Sequence, residues 1–115
     1  KDAASVGTLL SSGSDVDARN DYGVTALMAV AKGGDADAVR MLLESGADVH
    51  AKNRDGATAL IWAVQSGNTT IVKILLAAGA DANTMDNSGW TALRIALQEG
   101  FTETGQVLKE AGARE

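Results

Sequence analysis

The chain has 115 residues, a formal net charge of −5 at pH 7, 45% apolar residues, one His and no Cys. Without Cys it forms neither disulfides nor thiolate metal sites, and one imidazole supplies too few ligands for a His-based zinc site, so we expect no cofactor. The negative charge argues against a nucleic-acid partner, whose binding depends on excess Lys and Arg, and no apolar run approaches the ~20 residues that cross a membrane.

Residues 1–20 are the first predicted element, and they match only the second half of a unit that recurs later. We interpret this segment as a half repeat or an N-terminal cap. The protein is expected to be a monomer, and apolar residues exposed at an uncapped N-terminal end would be its route to self-association. The apolar and Gly positions that recur 33 residues on are Val6 with Val39, Leu9 with Leu42, and Gly13 with Gly46.

Three longer segments then repeat one pattern with a period of 33 residues and without insertion or deletion. They are GVTALMAVAKGGDADAVRMLLESGA from residue 23, GATALIWAVQSGNTTIVKILLAAGA from residue 56 and GWTALRIALQEGFTETGQVLKEAGA from residue 89. A fixed period of this length is typical of proteins that stack copies of one small unit. The predicted units are 21–53, 54–86 and 87–115.

Each unit begins with a predicted short helix. In the first copy, Leu27, Val30 and Ala31 have the i, i+3, i+4 spacing of one helical face. A Thr stands just before each helix, where its hydroxyl can accept an otherwise unpaired backbone N–H. The Thr residues are Thr25, Thr58 and Thr91. The Gly residues expected to end the helices are Gly33, Gly34, Gly67 and Gly100.

A second short helix follows in each unit and is expected to end at Gly46 or Gly79. Polar segments such as AKNRDG then form turns between the units. Helices this short are marginal in water, so each pair must bury its apolar face against the next pair. In the last unit, Gly105 and Lys109 replace Val72 and Leu76, and we predict that they form the polar outer face of a terminal repeat.

The TALMAVA, TALIWAV and TALRIAL segments and the GADVHAKN ending resemble the ankyrin repeat family over the whole chain. The family has Pro where this chain has Ala26, Ala59 and Ala92, and His where it has Met28, Ile61 and Arg94. The resemblance implies an all-α ankyrin-repeat solenoid, with stacked helix-turn-helix pairs joined by β-turn or hairpin loops. It also implies that the inter-repeat hydrogen bonds of the family's His are absent or rearranged.

No group of residues supports catalysis, and we expect a protein that is not an enzyme. His50 is the only imidazole, and it stands in a turn where the other units have Asp17 and Asn83, which indicates a structural role. The acidic residues of the turns lack calcium-loop spacing, and phosphate-binding glycine loops are absent. Trp62 lies within a first helix, which favours packing in the core or between repeats.

The resemblance implies that a protein partner binds the concave face, which is formed by the turn tips and the exposed ends of the first helices. Tyr22 and Trp90 are its best candidate anchors, because large amphipathic aromatic residues are frequent at interfaces. Basic residues in the first two units suggest an acidic strip on the partner. The predicted binding residues are Arg19, Asp21, Tyr22, Val24, Lys32, Lys52, Arg54, Asp55, Gln65, Met85, Asn87, Ser88, Trp90, Gln98 and Glu99.

Other interpretations stay open at this point. The chain could be a spacer within a longer ankyrin array, or an engineered repeat scaffold, although its uneven framework favours a natural protein. Some ankyrin repeats are hydroxylated at the Asn that corresponds to Asn83, for which a structural turn role is the alternative. The expected location is intracellular, in the cytoplasm.

Overall fold

The computed structural model describes residues 16–114, so most of the predicted half repeat, including Val6 and Leu9, lies outside the described residues. The described part contains six α-helices, and none of them is long and apolar enough to cross a membrane. The helices are α1 (Ala26–Gly33), α2 (Ala36–Glu44), α3 (Ala59–Gln65), α4 (Thr69–Ala77), α5 (Ala92–Glu99) and α6 (Thr102–Glu110).

The helices form two layers of antiparallel pairs. Each helix packs against the other helix of its own unit and against its counterpart in the neighbouring unit. Helices α1, α3 and α5 therefore lie side by side in one layer, and α2, α4 and α6 form the other. Between residues 16 and 114 the only β-structure is one isolated antiparallel bridge, which joins Met85 to Thr91. The expected all-α stack of helix pairs is confirmed.

The helix ends follow the sequence prediction closely. The hydroxyls of Thr25, Thr58 and Thr91 accept the backbone N–H groups three residues further on, so all three first helices have side-chain N-caps. Helices α1 and α5 end at Gly34 and Gly100, whose φ angles are 82° and 76°. The caps thus satisfy backbone groups that a short helix leaves unpaired.

The core lies between the two layers and continues from unit to unit. The first-helix residues Leu60 and Leu93 are fully buried, and their counterpart Leu27 has only 1% of its surface exposed. Full burial of each such side chain contributes about 1.5–3 kcal/mol. Trp62 is half-buried against this core, and the Nζ of Lys32 from the preceding unit lies 5.1 Å from its ring centroid. Trp62 therefore packs between repeats, as predicted.

The last unit differs from the prediction at Gly105. Lys109 is exposed, but Gly105 is buried. A Cβ at Gly105 would lie 3.8 Å from Cδ1 of Leu93 and 3.8 Å from Cδ2 of Leu97. The prediction that Gly105 belongs to a polar outer face is wrong, because this position faces α5 within its own unit.

Polar side chains in the turns after the second helices also join the units, but not equally. The Oδ1 of Asp17 accepts the backbone N–H of Asp48 at 2.8 Å. Asn83 makes two such bonds: its Oδ1 accepts the N–H of Arg114 at 2.9 Å, and its Nδ2 donates to the Gly112 carbonyl at 3.1 Å. His50 occupies the equivalent position, and its imidazole hydrogen-bonds to none of the described residues. The first and second units, 21–53 and 54–86, therefore lack a bond that Asp17 and Asn83 supply at the other two junctions.

Replacing His50 with Asn is expected to stabilise the protein. The new carboxamide would meet the Gly79 carbonyl and the Asp81 N–H, which correspond to the partners of Asn83, and two partly exposed hydrogen bonds contribute about 1 kcal/mol. Urea unfolding followed by circular dichroism measures the change. The reciprocal variant Asn83→His is expected to lose a similar amount. A His50→Asn variant no more stable than the parent would contradict this account of the turn.

Candidate functional site

The residues predicted to bind a partner are accessible. All of them are exposed except Val24 and Trp90, which are half-buried. Tyr22 and Met85 are apolar side chains with 70% and 51% of their surface exposed. Large exposed apolar side chains gain free energy when a partner covers them, so accessibility agrees with the prediction without defining a single site.

The turn before each first helix is held by one polar side chain. Its Oδ1 accepts two backbone N–H groups, two and four residues further on, so the intervening residues project from a rigid loop. These side chains are Asn20, which accepts from Tyr22 and Val24, Asn53, which accepts from Asp55 and Ala57, and Asp86, which accepts from Ser88 and Trp90.

The tips of these turns are hydrogen-bonded to one another across the units. The Tyr22 carbonyl accepts the N–H of Arg54 at 3.0 Å, and the Asp55 carbonyl accepts the N–H of Asn87 at 2.8 Å. The Nδ2 of Asn87 also donates to the Arg54 carbonyl at 2.9 Å. The tips therefore form one continuous row, in which predicted residues of all three units lie at fixed spacing.

A groove of about 410 Å³ lies beside this row in the third unit and extends to the second. We call it the Trp90 groove. Four of its residues belong to the predicted set, and two, Asp86 and Ile95, do not. The residues that line it are Gln65, Asp86, Trp90, Ile95, Gln98 and Glu99.

Trp90 packs on its own unit and also lines the groove. The guanidinium carbon of Arg94 lies 4.7 Å from the centroid of the Trp90 ring, and this arginine does not line the groove. Arg94 stands where the resemblance places a family His, and the corresponding residues Met28 and Ile61 are buried. The substitution at this position thus replaces a core side chain with one that supports the indole.

Other predicted residues lie elsewhere. Lys52, His50 and Asp81 line a smaller cavity of about 210 Å³. This cavity shares no lining residue with the Trp90 groove. The Nη1 of Arg19 donates to the Lys52 carbonyl at 2.7 Å, so this guanidinium already has a partner within the chain. The predicted set is therefore divided between the groove, the row of tips and a separate basic area.

The two groove residues that the sequence prediction did not include, Asp86 and Ile95, were missed for different reasons. Asp86 lies in a polar turn, a position typical of a structural residue. Its carboxylate does hold the turn, because it accepts the N–H of Trp90, but it also borders the groove. Ile95 has the helical spacing of a core residue and is only 8% exposed, yet it lines the groove. Asp86 stands between the predicted residues Met85 and Asn87. Ile95 precedes Gln98 and Glu99 by three and four residues on α5, the spacing of one helical face, so these two positions carried the signal that could have found them.

The fold and the helix pairing agree with the match to known families. A family model described as "Ankyrin repeats (3 copies)" matches residues 1–86 and, in a second match, residues 46–114. The chain belongs to the ankyrin repeat family, whose members are generally protein–protein interaction modules and typically not enzymes. No protein with a curated description matches the chain.

Replacement of Gly56 by Ala is expected to disrupt the row of tips, whereas replacement of Gly89 by Ala is expected to add only backbone strain. Both glycines have positive φ, at 78° and 84°, which costs Ala about 1–2 kcal/mol. A Cβ at Gly56 would also lie 2.9 Å from the Asn87 backbone N, while one at Gly89 meets nothing within 4 Å. Gly56→Ala should therefore lose about 1–3 kcal/mol more than Gly89→Ala in urea unfolding. Equal losses would show that the tips are not in fixed contact.

Proposed function

We propose that this ankyrin repeat protein binds a partner protein on the surface formed by the Trp90 groove and the row of turn tips. The observation that carries the proposal is the groove itself, because it is concave, spans two units and has an aromatic wall. Interfaces depend on a few aromatic residues that fit into complementary surfaces. The exposed ring of Tyr22 supplies a second aromatic contact at the far end of the row.

The division between repeated and varied positions supports the same proposal. The capping Thr and the buried Leu are identical in all three units, as in Thr25 and Leu27. The groove residue Trp90 corresponds to Val24 and Ala57, and Glu99 corresponds to Gly33 and Ser66. A surface that changes while its framework stays constant is suited to recognition, because the side chains can vary without loss of the core.

The main alternative, a spacer role within a longer array, makes no use of this surface. It requires only that the units stack and transmit a fixed distance, which the core and caps achieve alone. Under that role, exposed side chains of the groove and tips can be replaced freely. The two functions therefore differ in their response to surface substitutions that leave the fold unchanged.

A double variant, Tyr22→Ala with Gln98→Arg, is expected to lose the partner. Both residues are exposed, so neither change removes core packing, and the longer Arg side chain would occupy the groove. The experiment is affinity capture from an extract of the cells that produce the protein, with equal helical circular dichroism as the condition for comparison. The matched control is Glu44→Ala with Lys73→Ala, two exposed residues of the second-helix layer.

The expected result is a protein captured by the parent and by the control but lost by the double variant. Removal of one interface anchor commonly costs 2 kcal/mol or more, which weakens binding by about 30-fold. Equal capture by all three proteins, or capture of nothing, would contradict the proposed function and favour the spacer.

A further inference from the structure

We propose that the Trp90 groove receives an arginine side chain of the partner protein. This inference rests on the proposed function and specifies the chemistry of its central contact. The groove is lined by two apolar side chains, Trp90 and Ile95, and by four side chains that carry hydrogen-bond acceptors. This combination matches a long side chain that ends in a planar cation.

The charge of the groove favours a cation. Two carboxylates, of Asp86 and Glu99, and two carboxamides, of Gln65 and Gln98, border it, and no Lys or Arg is among its described lining residues. An acidic side chain of a partner would be repelled there. An apolar one would leave the carboxylates desolvated without a partner, which is costly.

Three of these four side chains can bind a ligand without breaking an internal bond, and Asp86 uses its Oδ1 to hold the turn. No described residue hydrogen-bonds to the side chain of Gln65, Gln98 or Glu99, and none forms an ion pair with Glu99. Ser66, which corresponds to Glu99 in the second unit, donates its hydroxyl to the Lys32 carbonyl at 3.0 Å. A carboxylate cannot donate in this way, so the third unit presents a charged acceptor where the second has an internal bond.

The shape and the aromatic wall favour arginine over lysine. A guanidinium is planar, carries five N–H donors and stacks on aromatic rings, whereas an ammonium is a compact and strongly hydrated charge. The aliphatic stem of an arginine can lie on Ile95 while its head reaches Glu99. The chain already places a guanidinium on this indole, because Arg94 covers one face of the Trp90 ring.

The groove can be made neutral without disturbing its turn. In Asp86→Asn the Oδ1 that accepts the N–H groups of Ser88 and Trp90 is retained, and Asn20 and Asn53 make the same pair of bonds in the other units. Glu99→Gln keeps the size of an exposed side chain. The control, Glu44→Gln with Glu103→Gln, makes the same change in net charge at two exposed positions outside the groove.

The experiment selects binders from a displayed library of random peptides on the parent protein. The tightest peptide that fails to bind Gln98→Arg is then synthesised, and its dissociation constant is measured by fluorescence anisotropy. We expect an arginine in this peptide, and we expect its replacement by neutral citrulline to weaken binding about tenfold or more, as loss of a charged hydrogen bond does. The Asp86→Asn, Glu99→Gln double variant should weaken the arginine peptide by a similar factor, and the citrulline peptide much less. The control variant should leave the dissociation constant within about twofold.

Three results would overturn the inference while the proposed function survives. They are groove-dependent peptides without arginine, peptides in which lysine replaces it, and peptides that bind equally to the neutral double variant. If every selected peptide also binds Gln98→Arg, or if none is selected, both the inference and the proposed use of the groove are contradicted.

Discussion

The stacking of each helix pair on the next is the interaction on which the rest of the structure depends. The helices of the described part are 7 to 9 residues long, well below the ~12–15 residues at which an isolated helix becomes even marginally stable. Burial of Leu27, Leu60 and Leu93 in one continuous core makes up for this weakness. Each helix packs both on the other helix of its unit and on its counterpart in the neighbouring unit, so the core continues through all three units.

This constraint also determines where function can reside. Side chains of the turn tips and of the exposed ends of α1, α3 and α5 can vary without loss of the core, whereas a change at a buried position must be accommodated by the neighbouring helices. The Trp90 groove lies at this boundary, with Gln65 from one unit and Gln98 from the next. A site made by two units exists only while they are stacked, and this couples recognition to the integrity of the fold.

Much of the fold could be predicted from the period alone, because the caps and buried Leu recur at identical spacing. Thr58 and Leu60, for example, have the predicted roles of cap and core. Gly105 was assigned wrongly because replacement of an apolar residue by Gly resembles a polar substitution in sequence, whereas in the structure the backbone simply lies close to α5.

The site was less predictable than the fold. The register found Trp90 and Glu99, but the depth of the groove depends on the distance between α3 and α5, which the sequence pattern does not give. Asp86 and Ile95 therefore have the sequence features of a turn residue and a core residue, and nothing in the pattern marks them as lining a groove. The position of Arg94 on the indole was likewise hidden, because a contact between two side chains four residues apart depends on their rotamers.

The most direct test of the account is a nuclear magnetic resonance map of the chain bound to its captured partner. The signals of the indole N–H of Trp90 and of the side-chain amides of Gln65 and Gln98 are expected to change most on binding. The backbone amide signals of the layer formed by α2, α4 and α6, such as those of Arg40 and Lys73, should stay unchanged. Changes confined to the layer of α2, α4 and α6, with the Trp90 signal unmoved, would contradict the assignment of the groove as the binding surface.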